Sequence, residues 1–262
     1  MGKLDGRVAI VTGAGMGIGR GIAGAFARAG ASVLVAERDE QAGAQTAEWL
    51  RAEWGIDADF LPTDVTDKHQ ALAMVDTAVA RFGRLDILVN NAWAGIGFAR
   101  LEKTTDEQVL AGFNMGVMAA FWSMNAALEE LKKHGAGRVV NLCSLNGVNA
   151  HMYSAPYNMA KEALRTLTRT AACEWAPHQI TCNVICPGAR SAAYERAAAA
   201  SPANVATMAS ANPMGRIGDP LEDIGPVAVF LAGDDCSYLT GNTLFVDGGS
   251  HINGVQWAPN VD

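Results

Sequence analysis

The stretch YNMAK places a phenol and an ammonium four residues apart, at Tyr157 and Lys161. Residues at this spacing lie on the same face of a helix, one turn apart. A phenol with an ordinary pKa of about 10 is a weak acid–base group at neutral pH, and a neighbouring cation favours its ionised form. The pair therefore suits proton transfer to or from a substrate oxygen, although an ordinary exposed helical turn would carry the same five letters.

The charge of Lys161 is large enough to lower the pKa of Tyr157 to near neutral pH. Moving the pKa of a tyrosine from about 10 to about 7 requires about 4 kcal/mol. One positive charge about 4 Å away supplies about that much at an effective dielectric of about 20. Pro156 is acceptable in the first turn of a helix, which places Tyr157 near the helix start on a rigid support. Tyr153 has Tyr157, and no cation, four residues on, so it is predicted to be a wall of the pocket.

The composition argues against several classes of partner. The chain has 262 residues, of which 50% are hydrophobic, so it can form one large domain or two small ones with a sizeable core. Its formal net charge is −7 and it contains no basic run, which argues against nucleic acid and against an anionic membrane surface. No apolar run reaches the roughly 18 residues of a spanning helix. The N-terminus carries no apolar stretch of signal-peptide length.

The five cysteines indicate a reducing compartment. An odd number of cysteines without an export signal predicts free thiols in the cytoplasm. Cys182 and Cys186 share one face of a predicted strand, but no second His or Cys pair follows at zinc spacing. We therefore expect no metal site.

Apolar runs and helical segments alternate along almost the whole chain. The apolar runs, predicted as strands, are 7–13, 31–37, 57–64, 85–92, 137–144, 180–188 and 242–249. The helical segments are 18–30, 38–54, 68–83, 104–133, 155–175 and 221–232. Continuously apolar strands are typical of a parallel sheet that is covered on both faces. The sequence thus predicts a single α/β domain, 1–262, with a doubly wound, Rossmann-type parallel sheet of about seven strands and helices on both faces.

A glycine-rich turn, TGAGMGIG, joins the first predicted strand to the first predicted helix. Dinucleotide sites use glycines here because the backbone must turn tightly and approach the pyrophosphate, which then meets the N-terminus of the helix. No Gly-Lys-Ser/Thr sequence follows, which excludes a nucleoside triphosphate loop. A structural turn without a ligand is the alternative. The residues expected to contact the coenzyme here are Gly13, Gly15, Met16, Gly17, Ile18 and Gly19.

The end of the second predicted strand bears on the choice of coenzyme. Glu37 can accept hydrogen bonds from the adenosine ribose hydroxyls and repels a 2′-phosphate, which favours NAD. Arg38 follows directly, and a guanidinium is the group that would hold the 2′-phosphate of NADP. Arg38 could equally be an exposed charge over the adenine. We give Glu37 more weight because it occupies the strand end itself, so NAD is the prediction and NADP the alternative.

Two further strand ends carry side chains that could face the coenzyme. Asp64 and Val65 follow the third strand and are placed to reach the adenine amino group. Asp64 could instead cap the next helix, for which Asp67 is the better candidate. Asn91 and Ala92, in the NNA stretch after the fourth strand, would put amides beside the coenzyme. A buried turn stabilised by the asparagine side chains would explain the same stretch.

These residues together resemble the short-chain dehydrogenase/reductase family in its short, single-domain form. TGAGMGIG is similar to the family's TGxxxGxG turn, and Asp64, NNA, a strand-end serine, YxxxK and a Pro-Gly pair follow in family order and spacing. The resemblance covers nearly the whole chain. It implies that Ser144 is the active-site serine and that Tyr157 and Lys161 form the catalytic pair. It also implies that Asn114 is the helix asparagine that anchors a water between Lys161 and solvent.

The resemblance implies an activity and an assembly as well. The activity is hydride transfer between a nicotinamide coenzyme and a ketone or secondary alcohol, with Tyr157 as general acid and base. Ser144 would stabilise charge on the substrate oxygen. The further coenzyme contacts that it implies are Tyr157, Lys161, Pro187 and Gly188. Family members carry apolar outer faces on the long helix, the Tyr-bearing helix and the last strand, which implies a homotetramer or a homodimer.

The chain departs from the family pattern at two positions beside the expected substrate space. Where the family usually has NNAG, the fourth residue here is Trp93. Where the family often has a threonine shortly after the Pro-Gly pair, in contact with the nicotinamide amide, this chain has PGARSAA. Ser191 is the hydroxyl residue in that run. The second departure concerns the clamp on the nicotinamide and leaves the chemistry intact.

Three segments are expected to line the substrate pocket, namely 93–98, 145–153 and a lid, 189–212. The side chains expected to face the substrate are Trp93, Ser144, Leu145, Met152, Tyr153 and Tyr194. They carry no charge, which suits an uncharged, fairly bulky ketone or secondary alcohol better than a phosphorylated or thioester substrate. The C-terminal extension, 251–262, could pack on a neighbouring subunit, close the pocket or be a frayed end.

Two other functions are compatible with the same sequence. A coenzyme-sensing regulatory protein would bind the nucleotide without chemistry, but it would not need Ser144, Tyr157 and Lys161. A reductase of a 3-oxoacyl-type substrate would use the same residues on a thioester. A serine hydrolase is excluded because the chain has no GxSxG elbow. An enoyl-thioester reductase would be expected to have a longer Tyr-to-Lys spacing.

Overall fold

Among the residues that the computed structural model describes, 2–200 and 209–252, seven strands form one sheet. The strands are β1 (Val8–Thr12), β2 (Ser32–Glu37), β3 (Ala58–Pro62), β4 (Ile87–Asn90), β5 (Arg138–Leu142), β6 (Thr181–Pro187) and β7 (Thr243–Val246). Their order is β3-β2-β1-β4-β5-β6-β7, and every neighbouring pair is parallel. The carboxyl ends of all these strands therefore meet at one edge of the sheet.

Helices follow most of the strands and cover both faces. They are α1 (Gly17–Arg28), α2 (Glu40–Trp54), α3 (Lys68–Phe82), α4 (Asp106–Phe113), α5 (Ala119–Lys132), α6 (Leu145–Val148), α7 (Ala155–Trp175), α8 (Ala192–Ala200) and α9 (Gly225–Ala232). In the part of the chain described, no helix combines the length and the apolar character that spanning a bilayer requires.

Side-chain caps and glycines set the helix ends. α3 begins after Asp67, whose carboxylate accepts hydrogen bonds from the first turn, and ends at Gly83 with φ +81°. α4 begins with a capping box in which Thr105 and Gln108 each bond to the backbone of the other. The predicted end of a helix at Gly83 is thus confirmed.

Successive strand residues face two separate apolar layers. Val33 and Val35 of β2 pack in a layer with α1, α2 and α9, whereas Leu34 packs in a layer with α3, α5 and α7. Phe26 in the first layer and Met124 in the second are almost fully buried. Burying an apolar side chain of this size contributes about 1.5–3 kcal/mol. The predicted doubly wound architecture is confirmed.

The predicted helix 104–133 is helical from Asp106 to Lys132, and a π-helical turn, Asn114–Met118, interrupts its α-helical pattern between α4 and α5. Gly116 of this turn lies so close to α7 that a Cβ there would be 2.9 Å from the Cβ of Ala160. The predicted helix 221–232 likewise begins with a π-helical turn, Pro220–Ile224, before α9. Such turns depend on tertiary packing, which helical periodicity in a sequence does not report.

A buried chain of side-chain hydrogen bonds joins the centre of the sheet to two helices. Asn90 of β4 donates to Asn141 of β5 at 2.8 Å, and Asn141 donates to Thr168 of α7 at 2.8 Å. Ser123 of α5 donates to Asn90 Oδ1, also at 2.8 Å. All four residues are buried, where an unpaired polar group costs about 1–3 kcal/mol. The bonds therefore fix α5 and α7 at one position along the sheet.

Candidate active site

The glycine-rich turn after β1 leads directly into the N-terminus of α1. Gly13 has φ +64°, which favours glycine, and a Cβ at Gly19 would collide with the carbonyl oxygen of Gly13. The side chain of Met16, the residue before α1, makes no capping hydrogen bond in the described structure. The first N–H groups of α1 are thus left to an anionic ligand, so the turn fits a dinucleotide pyrophosphate. The other turn residues predicted as coenzyme contacts are Gly15, Gly17 and Ile18.

Asn91 holds this turn from the neighbouring strand. Its side-chain amide donates to the carbonyl oxygens of Thr12 at 2.9 Å and Gly13 at 3.1 Å. The backbone N–H groups of Asn91 and Ala92 both donate to the Thr12 hydroxyl oxygen. These contacts favour the buried-turn interpretation of the NNA stretch, in which Asn91 acts on a coenzyme through the shape of the turn.

Glu37, at the end of β2, is tied into the same turn. Its carboxylate accepts hydrogen bonds from the N–H groups of Gly15 at 3.0 Å, Arg38 at 2.8 Å and Asp39 at 3.0 Å. A carboxylate offers about four lone-pair positions, so these bonds fix its orientation and leave capacity for ribose hydroxyls. The Arg38 guanidinium is exposed and lies 4.0 Å from the Asp64 carboxylate, and a surface ion pair of this kind contributes little.

Asp64 forms a local turn after β3 and does not cap α3. Its Oδ1 accepts from the N–H of Thr66 at 2.9 Å and from the Thr66 hydroxyl at 2.7 Å. Asp67 is the cap of α3, as preferred from the sequence. Val65, predicted as a coenzyme contact, is buried and lines a small cavity beside Lys161.

Ser144, Tyr157 and Lys161 come together where β5 ends and α7 begins. The Ser144 hydroxyl accepts from the N–H of Asn146 at 3.1 Å and so caps α6. Tyr157 and Lys161 lie one turn apart on α7, with the Lys161 ammonium 5.7 Å from the Tyr157 ring centroid. Lys161 is only 4% exposed and donates to the carbonyl oxygen of Leu142 at 2.8 Å. The predicted serine, tyrosine and lysine therefore share one site.

Burial dominates the acid–base properties of this pair. It raises the pKa of the Tyr157 phenol above its ordinary value, and a hydrogen bond with the Ser144 side chain acts in the opposite direction. Burial also lowers the pKa of the Lys161 ammonium. The expected lowering of the tyrosine pKa by Lys161 is not found, and the ammonium is directed to the carbonyl oxygen of Leu142. In this geometry Tyr157 is protonated at neutral pH.

Asn114 lies at the start of the π-helical turn. Its side-chain amide donates to the carbonyl oxygen of Thr66 at 3.3 Å. A cavity of about 10 Å³ beside Lys161 is lined on the helix side by Met115 and Gly116, and its size matches about one water molecule. The role of Asn114 in anchoring a water stays a prediction.

Trp93 and Leu145, both predicted to line the pocket, flank the catalytic residues. The Trp93 ring packs edge-on against the Tyr157 ring, with the centroids 4.7 Å apart. Leu145 is the first residue of α6, directly after Ser144. The structure therefore brings these two predicted pocket residues to the site itself.

The other predicted pocket residues lie further out. Tyr153 has φ +67°, an uncommon conformation for a bulky residue, and its carbonyl oxygen accepts from the N–H of Ala99 at 2.9 Å. This bond links the segment after β4 to the turn before α7. Met152 beside it is exposed, and Tyr194 is half-buried on α8.

The segment after β6 starts with the predicted Pro-Gly pair. Pro187 ends β6, and Gly188 lies so close to the end of β7 that a Cβ would be 2.8 Å from the Cα of Asp247. The Ser191 hydroxyl accepts from the N–H of Tyr194 at 3.1 Å, so it serves as a helix cap. Residues 201–208 of the predicted lid, and 253–262 of the predicted C-terminal extension, lie outside the described residues. The lid stays a prediction.

Two ion pairs hold the ends of the segment 189–219. Arg190 pairs with Asp219. Arg216 pairs with Asp223 through contacts of 2.5 and 2.8 Å. The hydrogen bonds from the Arg216 guanidinium and from the N–H of Asp219 lower the pKa of Asp223 to about 2. Both ends of the segment are therefore fastened to the turn before α9.

The cysteines are free thiols, as predicted. Burial raises the pKa of Cys143, Cys182 and Cys186 to about 12 each, so these thiols stay neutral. Within the described ranges, no three His, Cys, Asp or Glu side chains are grouped so that they could hold a metal ion.

The residues that support the site are the ones that sequence reasoning missed. The Thr12 hydroxyl organises the start of the NNA stretch, and Asn90 and Asn141 connect β4 with β5 and α7. A signal was present in the sequence, because an asparagine inside the apolar run VVNLC is unusual for a buried strand.

A glycine-rich turn, and a tyrosine one helical turn from a buried lysine, lie at the same edge of a doubly wound sheet, an arrangement typical of nicotinamide-dependent oxidoreductases. Comparison with known proteins narrows this class. Residues 13–251 match the family model described as enoyl-(acyl carrier protein) reductase. The chain belongs to the short-chain dehydrogenase/reductase family and is an NAD(P)-dependent enzyme of the alcohol dehydrogenase or carbonyl reductase type.

Characterised relatives cover almost the whole chain. A 12alpha-hydroxysteroid dehydrogenase from a Clostridium species is 38% identical over 255 residues, which are 95% of this chain and 98% of the relative. A cyclopentanol dehydrogenase from a Comamonas species is 31% identical over 253 residues, 97% of this chain and 100% of the relative. The solved structure of an NAD+-bound xylitol dehydrogenase is 32% identical, with a TM-score of 0.86, and the match covers 94% of this chain and 100% of that one.

We expect Asp223→Asn to remove part of the acid sensitivity of the fold. The folded-state pKa of Asp223, about 2, is below its ordinary value of 3.8. The pair with Arg216 therefore stabilises the fold above pH 3.8 and loses this contribution as the pH falls towards 2. Between about pH 5 and about pH 3, the melting temperature of the wild type should fall more steeply than that of D223N, as followed by circular dichroism.

The control is Asp76→Asn, the same change on the exposed face of α3. D76N should keep the wild-type slope of melting temperature against pH. An equal slope in D223N and D76N would show that the Arg216–Asp223 pair adds no acid-labile stability.

Proposed function

We propose that the chain oxidises an uncharged, bulky secondary alcohol, or reduces the matching ketone, with NAD as its coenzyme. The observation that carries this proposal is the convergence of Ser144, Tyr157 and Lys161 at the carboxyl edge of the sheet, beside the glycine-rich turn. A binding protein without chemistry has no need of a buried lysine one turn from a buried phenol.

Tyr157 moves the proton in this scheme. Because burial keeps the phenol protonated, its hydroxyl can donate to a ketone oxygen as negative charge develops there. In the oxidation direction, the phenolate accepts the proton of the alcohol. The Ser144 hydroxyl, held by its bond to Asn146, donates to the same substrate oxygen and stabilises its charge. The coenzyme supplies or accepts the hydride.

Lys161 keeps a positive charge beside Tyr157. An ammonium has three donors, and the carbonyl oxygen of Leu142 accepts one of them. We propose that the remaining Lys161 donors bind the coenzyme. The turn residues and the Pro187–Gly188 pair are proposed as further coenzyme contacts. The bond to Leu142 anchors the lysine to β5, so its charge stays at a fixed place while the proton moves.

Glu37 supports NAD over NADP. Its three backbone hydrogen bonds hold an anionic carboxylate at the end of β2, where it would repel a 2′-phosphate and accept bonds from ribose hydroxyls. Arg38 lies 4.0 Å from the Asp64 carboxylate in an exposed pair, which contributes little, so the preference for NAD rests on Glu37.

Exposed apolar side chains support a bulky apolar substrate. Phe98, Leu101 and Met152 are 78%, 74% and 71% exposed. Because a backbone bond between Ala99 and Tyr153 joins the segment after β4 to the turn before α7, we place these side chains at the rim of the site, where they would suit an apolar ligand. Two relatives, a hydroxysteroid dehydrogenase and a cyclopentanol dehydrogenase, are named for alicyclic secondary alcohols. Two others of similar identity are named for sugars, L-fucose and L-rhamnose.

A reductase of a 3-oxoacyl-type substrate is the second candidate, because the matching family model, described as enoyl-(acyl carrier protein) reductase, is named for an acyl thioester. It would use the same Ser144, Tyr157 and Lys161. The apolar rim favours the alicyclic alcohol. A 3-oxoacyl thioester should be tested in the same assay as a competing substrate.

We also propose that the enzyme works as a homotetramer or homodimer in the cytoplasm. Large apolar side chains on α4, α5 and α7 are between 43% and 68% exposed, namely Leu110, Phe113, Phe121 and Met159. A second copy would cover this surface, and neutral free thiols suit a reducing compartment. A monomer mass by light scattering at micromolar concentration would refute the assembly.

Tyr157→Phe is the central test of the proposed function. We expect it to lower kcat for alcohol oxidation by about 100-fold or more, because it removes the general acid–base group. Coenzyme affinity should change little, since the ring is kept. The assay follows nicotinamide reduction with a panel of alicyclic and other bulky secondary alcohols, and carbonyl reduction with the matching ketones and a 3-oxoacyl thioester.

Tyr238→Phe is the matched control, because it removes a phenol that is fully exposed and has no assigned role in the site. Y238F should retain turnover. Turnover that survives in Y157F would mean that another group is the acid, and coenzyme binding without turnover on any substrate would favour the sensing protein.

We expect Glu37→Gln to shift coenzyme preference towards NADP. The change removes the charge that repels the 2′-phosphate, so the ratio of kcat/KM with NAD to kcat/KM with NADP should fall by about 10-fold or more. Glu40→Gln, an exposed charge change in the first turn of α2, is the control and should leave the ratio unchanged. If E37Q also leaves it unchanged, Glu37 does not set the preference.

A further inference from the structure

Trp93 stands where the family pattern has glycine, and its indole contacts both members of the acid–base pair. The Trp93 and Tyr157 rings meet edge-on, with centroids 4.7 Å apart and planes at 77°. The ammonium nitrogen of Lys161 lies 5.1 Å from the Trp93 ring centroid. Both arrangements are attractive geometries, the first for aromatic pairs and the second for a cation and a ring.

Gly116 makes room for this indole. A Cβ at Gly116 would lie 3.0 Å from Cζ3 of Trp93, closer than carbon atoms normally approach. Gly116 belongs to the π-helical turn between α4 and α5. The absence of a side chain at Gly116 leaves space for the indole of Trp93. The indole is therefore wedged between this turn and the catalytic pair, and its position is set by the fold.

The other titratable groups that face the pair are neutral. They are the thiols of Cys143 at the end of β5 and of Cys186 on β6. Burial raises the pKa of each to about 12. Trp93 adds an uncharged ring on a further side of Tyr157, and the ammonium nitrogen of Lys161 lies 5.7 Å from the Tyr157 ring centroid.

We propose that Trp93 is a positioning residue for proton transfer, which fixes the ring of Tyr157 and excludes water from the side of the Tyr157–Lys161 pair that it covers. The inference rests on the proposed role of Tyr157 as general acid and base. A glycine at this place would open that side to water. With Trp93 in place, the phenol stays protonated over a wider pH range, which favours reduction of a carbonyl.

The test compares Trp93→Leu and Trp93→Phe with the wild type in alcohol oxidation across pH. Oxidation needs the phenolate, so kcat rises with pH through the pKa of Tyr157. In W93L, water reaches the phenol and favours its ionised form, so this rise should move to lower pH by about one unit. The plateau of kcat should fall by about 10-fold or more, because the ring is no longer held. KM for the coenzyme should stay near the wild-type value.

Trp93→Phe keeps an aromatic ring in the same place and should recover most of the plateau and the wild-type pH dependence. Circular dichroism of both variants establishes that they are folded. W93L with a wild-type plateau and pH dependence would overturn the proposal. So would a loss confined to KM for the coenzyme, which would make Trp93 a coenzyme contact.

Trp49→Leu is a matched control on the opposite layer. Trp49 meets Trp54 edge-on at 4.7 Å and 72°, and the Arg20 guanidinium lies 4.7 Å from its ring. The variant thus loses an aromatic pair and a cation–ring contact away from the site. It should lower the stability of the fold without changing the pH dependence of kcat. A shift equal to that of W93L would overturn the proposal, because any loss of packing would then produce it.

Tyr157→Phe in the same assay distinguishes a failure of the Trp93 proposal from a failure of the proposed role of Tyr157. If Y157F abolishes turnover and W93L behaves as the wild type, only the inference on Trp93 fails. If Y157F retains turnover, Tyr157 is not the acid and both fail.

Discussion

The geometry of the site depends on the buried hydrogen bonds that connect Asn90, Asn141 and Thr168. β4 and β5 place the two asparagines opposite each other, in an interior where each amide must find a partner. Asn141 donates to Thr168 of α7. This hydrogen bond fixes the position of α7 along the sheet. Tyr157 lies about three turns earlier on the same rigid helix. The phenol is therefore aligned with the strand ends by the register of the sheet, and not by the conformation of a loop.

The features that the sequence predicted correctly have local causes. The helix 155–175 is expected over the same residues that form α7, because its apolar face repeats with helical period and Pro156 suits the first turn. The strands were recognisable as β-branched apolar runs bounded by glycines and polar turns. The meeting of Ser144 with Tyr157 could be predicted only from the family resemblance, since the contact joins two elements whose relative position no local pattern specifies.

The features that were wrong, missed or left open depend on partners far away in the chain. Of the two interpretations of the NNA stretch, the buried turn is favoured, because Asn91 donates to the carbonyl oxygens of Thr12 and Gly13, nearly eighty residues earlier. Burial dominates the pKa of Tyr157, whereas the helical spacing suggested that Lys161 would. The π-helical turn Asn114–Met118 packs against Ala160 of α7 and the indole of Trp93. Periodicity and spacing describe one element at a time, and these contacts are made between elements.

Glu37 joins two properties that are usually treated as separate. The carboxylate from which we infer the coenzyme also closes the glycine-rich turn through the N–H of Gly15. A substitution that admits a 2′-phosphate therefore also weakens the cradle that holds the rest of the nucleotide. Coenzyme selection and closure of the turn therefore change together when Glu37 is substituted, and a second substitution that closes the turn again would be needed to separate them.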